Sequence, residues 1–308
     1  IRPRDWSSDV CSSYLRVTLD ELNAASVARF VATLGAVYEY SPWVAERAAS
    51  ARPFAALQGL HDAMYAALRA ASEAERLALI RAHPDLAGKV ARAGGLTAHS
   101  TGEQASAGLD RLGDAEYARF QRLNEAYRTR FGFPFIVCVR RHTKDSILRQ
   151  FERRTENELA TEVDTALNEV FRIAALRLDQ LVAAEPRLKV HGRLSTHVLD
   201  THAGRPAAGV AIELVELSAQ GPERGVARAF TNADGRTDAP LIAGRPLPIG
   251  AYELRFSVGD YFRSRSVSVA EPPFLDIVPV RFNIAEPEGH YHVPLLVTPW
   301  SYSTYRGS

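Results

Sequence analysis

The hydrophobic period of this sequence changes once, and that change limits the chain to two kinds of structure. From Thr18 to about Ala184, apolar residues recur every three or four positions, as on one face of a helix. After residues 185–187 the period becomes two, for example at 252–256, where apolar and charged residues alternate. Helices followed by strands predict an all-α helical bundle domain and then a β-sandwich.

We predict four parts from this pattern. Residues 16–184 are an all-α domain, 185–189 a linker and 190–308 the β-sandwich domain. Residues 1–15 match neither period and contain neither an initiator Met nor the apolar stretch of a signal peptide, so we expect a non-native or poorly ordered leader. A length of 308 residues is also large for one hydrophobic core and fits two domains.

Local signals predict where several helices begin and end. Thr18 with Glu21, and Ser72 with Glu75, have the spacing of capping boxes at helix starts. The amphipathic stretch 114–130 stops before a Gly and a Pro, and residues 155–184 contain neither and predict one long helix.

Charge, hydropathy and cysteine usage exclude several classes of protein. A net charge of +1 offers no global attraction to nucleic acid or to an anionic membrane. No apolar run approaches the ~20 residues of a membrane helix. Two cysteines do not suggest a disulfide framework and favour a reducing compartment, so we expect a cytoplasmic protein with neither nucleic acid nor membrane as partner.

The β-half concentrates basic side chains near an unusual chain end. His197 lies on the first predicted strand, Arg236 closes a turn, and His290 and His292 share one face of the predicted last strand because they are two apart. Residues 290–308 alternate apolar side chains and then finish on Tyr-Arg-Gly-Ser, whereas chain ends are usually frayed. Taken singly, a strand histidine or a turn arginine is more often structural or solvated than catalytic.

Five motifs in this half resemble the transthyretin-related 5-hydroxyisourate hydrolases. They lie at 195–200, 204–207, 231–236, 259–262 and 305–308, and the resemblance runs from about Arg187 to the last residue. It implies a transthyretin-like β-sandwich, a tetramer through that sandwich, and sites at a subunit interface.

The same resemblance implies that His197, Arg236, His292 and Tyr305 form the substrate site, with Ser308 nearby. The residue types suit the opening of a lactam ring, because a neutral imidazole can accept a proton from water and a guanidinium can stabilise an oxyanion. We assign His197 and His292 to water activation and proton transfer. Which of the two is the base stays open, and His290 is the weaker candidate.

Two other functions fit this half. Three histidines, two of them as His-x-His, could ligate zinc and activate a bound water. No carboxylate or Cys obviously completes such a set, so we expect no metal and no cofactor. A transthyretin-like module that binds a small ligand on a helical scaffold is the competing interpretation from another class.

The helical half contains one notable string, His-Pro-Asp-Leu-Ala-Gly-Lys at 83–89. A residue before Pro avoids helical angles, so His83 should lie at a helix end and can face a cleft. On this pattern alone, an incidental histidine before a new helix is the more frequent case.

Further motifs shift that balance, because together they resemble the 2-oxo-4-hydroxy-4-carboxy-5-ureidoimidazoline (OHCU) decarboxylases from about Thr18 to Ala184. The motifs lie at 83–89, 96–97, 100–104, 107–110, 123–127, 131–136 and 143–144. The resemblance implies a dimer through the helical domain and a cofactor-free reaction in which His83 is the proton donor. We further predict that Glu103 orients His83 or the ureido group.

The predicted substrate contacts of this half form three groups around His83. Cys138 is expected to pack rather than to act as a nucleophile. The contacts are Pro84; Ser100, Thr101, Gly102, Glu103 and Gln104; the backbone of Phe135, Ile136, Val137, Cys138 and Val139; and, more weakly, Arg154.

The two resemblances concern consecutive steps of urate breakdown. The β-half would open 5-hydroxyisourate to OHCU, and the helical half would decarboxylate OHCU to S-allantoin. The sequence therefore predicts a bifunctional, homo-oligomeric enzyme of purine metabolism that acts on small molecules and uses no cofactor.

Overall fold

The computed structural model describes residues 16–88, 97–219 and 221–307, and within them helices precede strands as predicted. Two single-turn 3-10 helices also occur, at Ala49–Ala51 and Val139–Arg141. The α-helices are α1 (Leu19–Ala24), α2 (Val27–Leu34), α3 (Trp43–Ala48), α4 (Leu57–Arg69), α5 (Glu73–Arg81), α6 (Ala98–Ser106), α7 (Asp114–Phe131), α8 (Lys144–Thr155), α9 (Leu159–Leu181) and α10 (Val258–Ser264). No helix in these ranges is long and apolar enough to cross a membrane.

The helix starts confirm both predicted capping boxes. At α1, the Thr18 hydroxyl accepts from the Glu21 amide at 3.2 Å, and the Glu21 carboxylate accepts from the Thr18 amide at 2.7 Å. Ser72 and Glu75 make the same reciprocal pair at α5. Each box satisfies two amides that have no partner inside the helix.

The predicted single helix over 155–184 is wrong at its start. The chain instead leaves α8 at Thr155 and enters α9 at Leu159. The Glu162 carboxylate accepts from the Arg154 side chain before the break and from Asn157 Nδ2, at 2.7 Å, within it. These contacts from one buried carboxylate stabilise the turn between the helices.

Two very short strands make the helical part not entirely α. Val17–Thr18 (β1) pairs in parallel with Val182–Ala183 (β2), directly after α9 ends.

One compact unit consists of the described part of Ile1–Ala82 together with Val170–Leu188. His61 and Phe171 tie its α4 and α9 segments together, with stacked rings 4.0 Å apart and a 3.0 Å hydrogen bond from the ring to the Phe171 carbonyl. Arg177 and Glu39 form a buried ion pair of 2.9 Å in the same unit. Its core consists of aliphatic and aromatic side chains that include Leu22, Phe30, Leu34, Val44, Leu57, Leu60, Met64 and Leu68.

The second unit combines the described parts of His83–Glu169 and of Lys189–Ser308. These units do not follow the predicted domain boundary, and that boundary remains a prediction from the change in period. The leader predicted at 1–15 lies outside the described residues.

The strands after the linker form two layers. One is an antiparallel sheet in the order β10-β9-β6-β7. The other has two parts, β11-β3-β8 and β13-β12-β4-β5. The strands are β3 (Gly192–Ser195), β4 (Val198–Asp200), β5 (Arg205–Pro206), β6 (Ala211–Leu217), β7 (Arg224–Phe230), β8 (Ile242–Arg245), β9 (Gly250–Ser257), β10 (Ile277–Ile284), β11 (His290–His292), β12 (Leu295–Val297) and β13 (Tyr302–Thr304).

The core of this part follows the predicted alternation. Leu254 and Phe256 point inward from β9, and Val278 and Val280 from β10, all at 5% exposure or less. Each such side chain contributes about 1.5–3 kcal/mol by leaving water. Leu194 from the other layer lies in the same hydrophobic cluster.

A break in the second layer positions the candidate site. The prediction that His197 lies within the first strand is wrong, because it falls between β3 and β4. Its carbonyl accepts from the Leu295 amide at 2.8 Å, and the Ser195 carbonyl accepts from the Val293 amide at 3.0 Å. Both parts of the layer therefore stay connected at His197, which also forms an isolated antiparallel bridge with Arg236.

Candidate active site

An open cavity of about 370 Å³ lies at this break in the second layer. It gathers all of the basic residues that the sequence singled out in the β-half, and it adds Arg193. The lining residues are Arg193, Ser195, Thr196, His197, Arg236, Thr237, Asp238, Ala239, Pro240, His290, His292, Tyr305 and Gly307.

His197 and His292 are directly hydrogen-bonded in this cavity. Nδ1 of His197 lies 2.7 Å from Nε2 of His292, and the two rings are stacked with centroids 4.8 Å apart. One ring must donate and the other accept, so the pair favours at least one neutral imidazole. A neutral imidazole is the form that accepts a proton from water.

The surroundings of the two histidines also favour the neutral form. Burial, followed by the positive charge of Arg236, lowers the pKa of His197 below its ordinary value. Burial also lowers the pKa of His292, with further contributions from His197, Arg236 and His290. His292 is only 8% exposed, which explains why burial leads.

A tight turn holds Arg236 at the rim of the cavity. The Asn232 side-chain oxygen accepts from the Asp234 amide at 3.0 Å and the Arg236 amide at 3.2 Å. Gly235 has a φ of +68°, and a Cβ there would lie 2.4 Å from the Val198 carbonyl oxygen. The turn therefore requires glycine, and it presents an exposed guanidinium beside His197.

The last described residues form one wall of the cavity. The Gly307 amide donates to the His292 carbonyl at 2.8 Å, in an isolated antiparallel bridge. The Arg306 guanidinium lies over the Tyr291 ring at 4.7 Å, and Tyr305 lines the cavity at 54% exposure. Ser308, predicted to lie nearby, is outside the described residues.

Sequence reasoning missed Ser195 as a site residue. Its hydroxyl oxygen lies 2.9 Å from Nδ1 of His292 and 3.2 Å from Nε2 of His290. The contact depends on the parallel pairing of β11 with β3, which places His292 opposite Ser195. A sequence pattern does not reveal that register, although Ser195 stands inside the motif at 195–200.

The ring nitrogens do not support the zinc interpretation. Nδ1 of His197 and Nε2 of His292 are directed at each other, and the other bonded nitrogens of the β11 histidines are directed at Ser195. Across the described ranges, no group of three or more His, Cys, Asp or Glu could hold a metal ion.

In the helical part, His83 lies in the loop that follows α5. His83 follows the end of α5 and is 8% exposed. Three buried or half-buried amide side chains then hold the loop that continues from it. Gln104 Oε1 accepts from the Ala87 amide at 2.9 Å, Asn124 Nδ2 donates to the Leu86 carbonyl at 2.8 Å, and Gln121 Nε2 donates to the Ala87 carbonyl at 2.9 Å.

Helix α6 carries the second group of predicted contacts. Ser100 and Gln104 are buried, whereas Thr101 and Gly102 are exposed. The amide group of Gln104 contacts the His83 loop, so it positions that loop. Glu103 is half-buried. It lies near enough to Cys138, another predicted site residue, for its charge to raise the pKa of the Cys138 thiol.

The segment 135–139 forms no strand: residues 135–138 belong to no described helix or sheet, and Val139 begins a 3-10 helix. The Cys138 amide donates to the Glu169 carboxylate at 2.8 Å, so this group already has a partner. Burial, together with the charges of Glu169 and Glu103, raises the pKa of the Cys138 thiol. A buried thiol that stays protonated agrees with a packing role for Cys138.

Arg154 lies beneath this segment. It is 2% exposed, and its guanidinium donates to Glu162 and, at 2.7 Å, to the Ile136 carbonyl. It also lies 4.4 Å from the centroid of the Phe135 ring. Arg154 therefore supports residues 135–136, and its contact with a substrate stays a prediction.

Comparison with known proteins separates the chain into the same two parts. A family model described as OHCU decarboxylase matches residues 23–179, and one described as the HIUase/Transthyretin family matches residues 194–307. A solved structure of an (S)-allantoin synthase shares 37% identity, covers 95% of this chain and 100% of its own, and superposes with a TM-score of 0.49.

Single relatives cover each part almost completely. A 2-oxo-4-hydroxy-4-carboxy-5-ureidoimidazoline decarboxylase from Halalkalicoccus jeotgali is 48% identical over 54% of this chain and 92% of its own length. A 5-hydroxyisourate hydrolase from Deinococcus radiodurans is 56% identical over 38% of this chain and 98% of its own length. The chain therefore belongs to the OHCU decarboxylase family through residues 23–179 and to the HIUase/Transthyretin family through residues 194–307.

Proposed function

We propose that this chain is a bifunctional enzyme of urate breakdown. The β-sandwich hydrolyses 5-hydroxyisourate to OHCU, and the helical part decarboxylates OHCU to S-allantoin. The observation that carries the hydrolase is the 2.7 Å hydrogen bond between His197 and His292 in a cavity with Arg236 at its rim. The membership of each part in its family supports the pairing of the two reactions.

The hydrolytic step follows from the chemistry of the cavity. A neutral imidazole of the His197–His292 pair accepts a proton from water, and the water oxygen attacks the lactam carbonyl. Arg236 stabilises the negative charge that develops on the carbonyl oxygen. The C–N bond of the ring then breaks, and the imidazolium returns the proton to the leaving nitrogen, so that the product gains one water in total.

The decarboxylation uses His83 and needs no cofactor to accept the electron pair. The C–C bond to the carboxylate breaks and releases carbon dioxide, and the adjacent C=N bond accepts the electron pair. The nitrogen of that bond takes up a proton, and the hydroxyl on the carbon that lost the carboxylate gives up its proton and becomes a carbonyl. His83 delivers a proton to one face of the former C=N carbon, which bears the ureido group, and this sets the configuration of the product. Glu103, on the neighbouring helix α6, orients the ureido group or His83.

Freshly prepared 5-hydroxyisourate tests both activities in one cuvette. Ultraviolet absorbance follows the loss of substrate, and circular dichroism follows the formation of optically active allantoin. We expect His83→Ala to leave ring opening intact and to stop the dichroic signal from rising faster than in buffer. Enantiopure allantoin formed by this variant at the wild-type rate would refute the role of His83.

The same assay distinguishes an enzyme from a ligand-binding module. His292→Ala should slow the loss of 5-hydroxyisourate by about 10³-fold or more, because both activation and orientation of the water depend on this pair. A module that only binds a small ligand would show no hydrolysis in the wild type and no effect of the substitution.

We further propose that the protein is a cytoplasmic homo-oligomer, a tetramer through the sandwich and a dimer through the helical part. Several large apolar side chains on the sandwich are exposed, including Phe230 at 69% and Trp300 at 55%, and such surfaces are typical of subunit contacts. Light scattering of the purified full chain tests this assembly. A monomeric mass at micromolar concentration would contradict the proposed assembly. Cell fractionation tests the proposed cytoplasmic location.

A further inference from the structure

Ser195 connects two histidines that are otherwise separate. Its Oγ lies 2.9 Å from Nδ1 of His292 and 3.2 Å from Nε2 of His290. Because Nε2 of His292 in turn contacts Nδ1 of His197 at 2.7 Å, the four side chains form one continuous hydrogen-bonded chain. The chain begins at the exposed His290 and ends at the half-buried His197.

The number of protons limits how such a chain can be arranged. A neutral imidazole carries one N–H, and both nitrogens of His292 are engaged, so His292 donates on one side and accepts on the other. If its proton is on Nε2, it donates to Nδ1 of His197, and the proton of neutral His197 must then be on Nε2. If its proton is on Nδ1, it donates to Ser195 and accepts from Nδ1–H of His197.

These two arrangements differ in whether His197 has a nitrogen with a free lone pair. In the first, neither nitrogen of His197 has a free lone pair, because Nδ1 accepts a hydrogen bond and Nε2 carries the proton. In the second, Nε2 of His197 has a free lone pair and can accept a proton from water. Only the second makes His197 a base without prior rearrangement of protons.

The position of His290 favours the second arrangement. The single proton of the Ser195 hydroxyl can be donated to Nε2 of His290, which leaves Oγ to accept from Nδ1 of His292. His290 is exposed, so its own proton can remain on Nδ1 and be solvated. Ser195 is half-buried, and no third partner of its hydroxyl is found within the described ranges.

We propose that Ser195 is a positioning residue for the hydrolase: its hydroxyl holds the proton of His292 on Nδ1, and it thereby leaves Nε2 of His197 unprotonated as the base. In this role Ser195 takes no proton from water and donates none to the substrate. It acts through His292, and His290 is the outer acceptor that orients its hydroxyl. This inference rests on the proposed hydrolysis of 5-hydroxyisourate.

The test compares three variants of the full chain. Ser195→Ala removes the hydroxyl, and Ser195→Thr restores it on a side chain that suits a strand. Ser264→Ala makes the same deletion in α10, where the hydroxyl donates to the Tyr261 carbonyl at 2.7 Å. For Ser195→Ala we expect the turnover number for hydrolysis to fall about tenfold while KM stays within about twofold. Ser195→Thr should recover most of the turnover, and Ser264→Ala should match the wild type.

A second readout does not depend on activity. Nitrogen-15 labelling of histidine shows which ring nitrogen of each imidazole carries the proton in the resting protein. We expect the His292 signal of the wild type and of Ser195→Thr to report Nδ1–H, and that of Ser195→Ala to move toward Nε2–H.

The two readouts separate failure of this inference from failure of the proposed function. A wild-type His292 that carries its proton on Nε2, or a Ser195→Ala protein with unchanged tautomer and unchanged turnover, overturns the role of Ser195. If the wild type does not hydrolyse 5-hydroxyisourate, the proposed function fails, and the tautomer shift alone then decides whether Ser195 positions His292.

Discussion

Gly307 lies so close to His292 that no other residue fits without movement. Its amide donates to the His292 carbonyl at 2.8 Å, and a Cβ on Gly307 would lie 2.6 Å from Cδ2 of the His292 ring. That ring is bonded at both nitrogens, to His197 and to Ser195, so it cannot move away without breaking one of these contacts.

Gly307→Ala should therefore impair ring opening specifically. The added methyl group displaces the His292 ring, and we expect the turnover number of the hydrolase to fall by about tenfold or more. Decarboxylation of OHCU should be unchanged. The matched control is Gly225→Ala on β7, where an added Cβ would meet nothing within 4 Å. Equal turnover numbers for the two variants would show that the close contact between Gly307 and His292 does not affect hydrolysis.

Acid should switch off hydrolysis only below the ordinary pKa of histidine. Burial and the charge of Arg236 lower the pKa of His197 from 6.5, so the neutral form persists to a lower pH. Arg236→Gln removes the second cause, and both His197 and His292 should then titrate at higher pH, whereas Arg236→Lys should keep them low. NMR titration of the two histidines measures this, and unchanged values in Arg236→Gln would contradict the electrostatic argument.

The same Arg236 substitution should act on the rate. Loss of one oxyanion donor typically slows turnover by about 10²–10³-fold, so Arg236→Gln should retain little hydrolysis at any pH. Arg236→Lys keeps the charge but not the planar fork, and its rate should fall between those of the wild type and Arg236→Gln. Stopped-flow absorbance at neutral pH separates the three proteins.

Asn124→Ala should loosen the loop that follows His83. It leaves the Leu86 carbonyl without the donor that now lies 2.8 Å away, which costs about 1–3 kcal/mol for a buried group. We expect decarboxylation to slow about tenfold and hydrolysis to continue unchanged. Gln150→Ala, on the partly exposed side of α8, is the control. A decarboxylation rate equal to that of the control would mean that the loop needs no such support.

Glu162→Gln should destabilise the helical part. Glu162 is fully buried and accepts from Arg154, Tyr127 and Asn157, so the substitution leaves the Arg154 charge buried without its counter-charge. The expected loss in free energy of unfolding is about 3–5 kcal/mol. Urea unfolding followed by far-ultraviolet circular dichroism measures it, with the exposed Glu156→Gln as control. Coincident helical transitions for the two variants would contradict the assigned role.

Features that depend on neighbouring residues were predictable from the sequence. Hydrophobic period separated helices from strands, and the spacing of Thr18 with Glu21 predicted a helix start that the structure confirms. The pairing of His290 and His292 on one face also holds, since both rings reach Ser195.

Features that depend on distant contacts were not predictable. The break between α8 and α9 is stabilised by the Glu162 carboxylate, whose partners Arg154 and Tyr127 come from other helices. The role of Ser195 appears only once β3 and β11 are paired. In both cases polar contacts between separate elements, rather than any pattern along the chain, stabilise the local geometry.

The bridge between Gly307 and His292 has a consequence for synthesis of the protein on the ribosome. The helices and His83 emerge first, and the cavity wall at Tyr305 and Gly307 is made long afterwards. A nascent chain that is released before this wall is translated would contain the OHCU decarboxylase region but an open, unsupported His292. Premature termination would therefore affect the two steps unequally, and the first step of the pair would be the one lost.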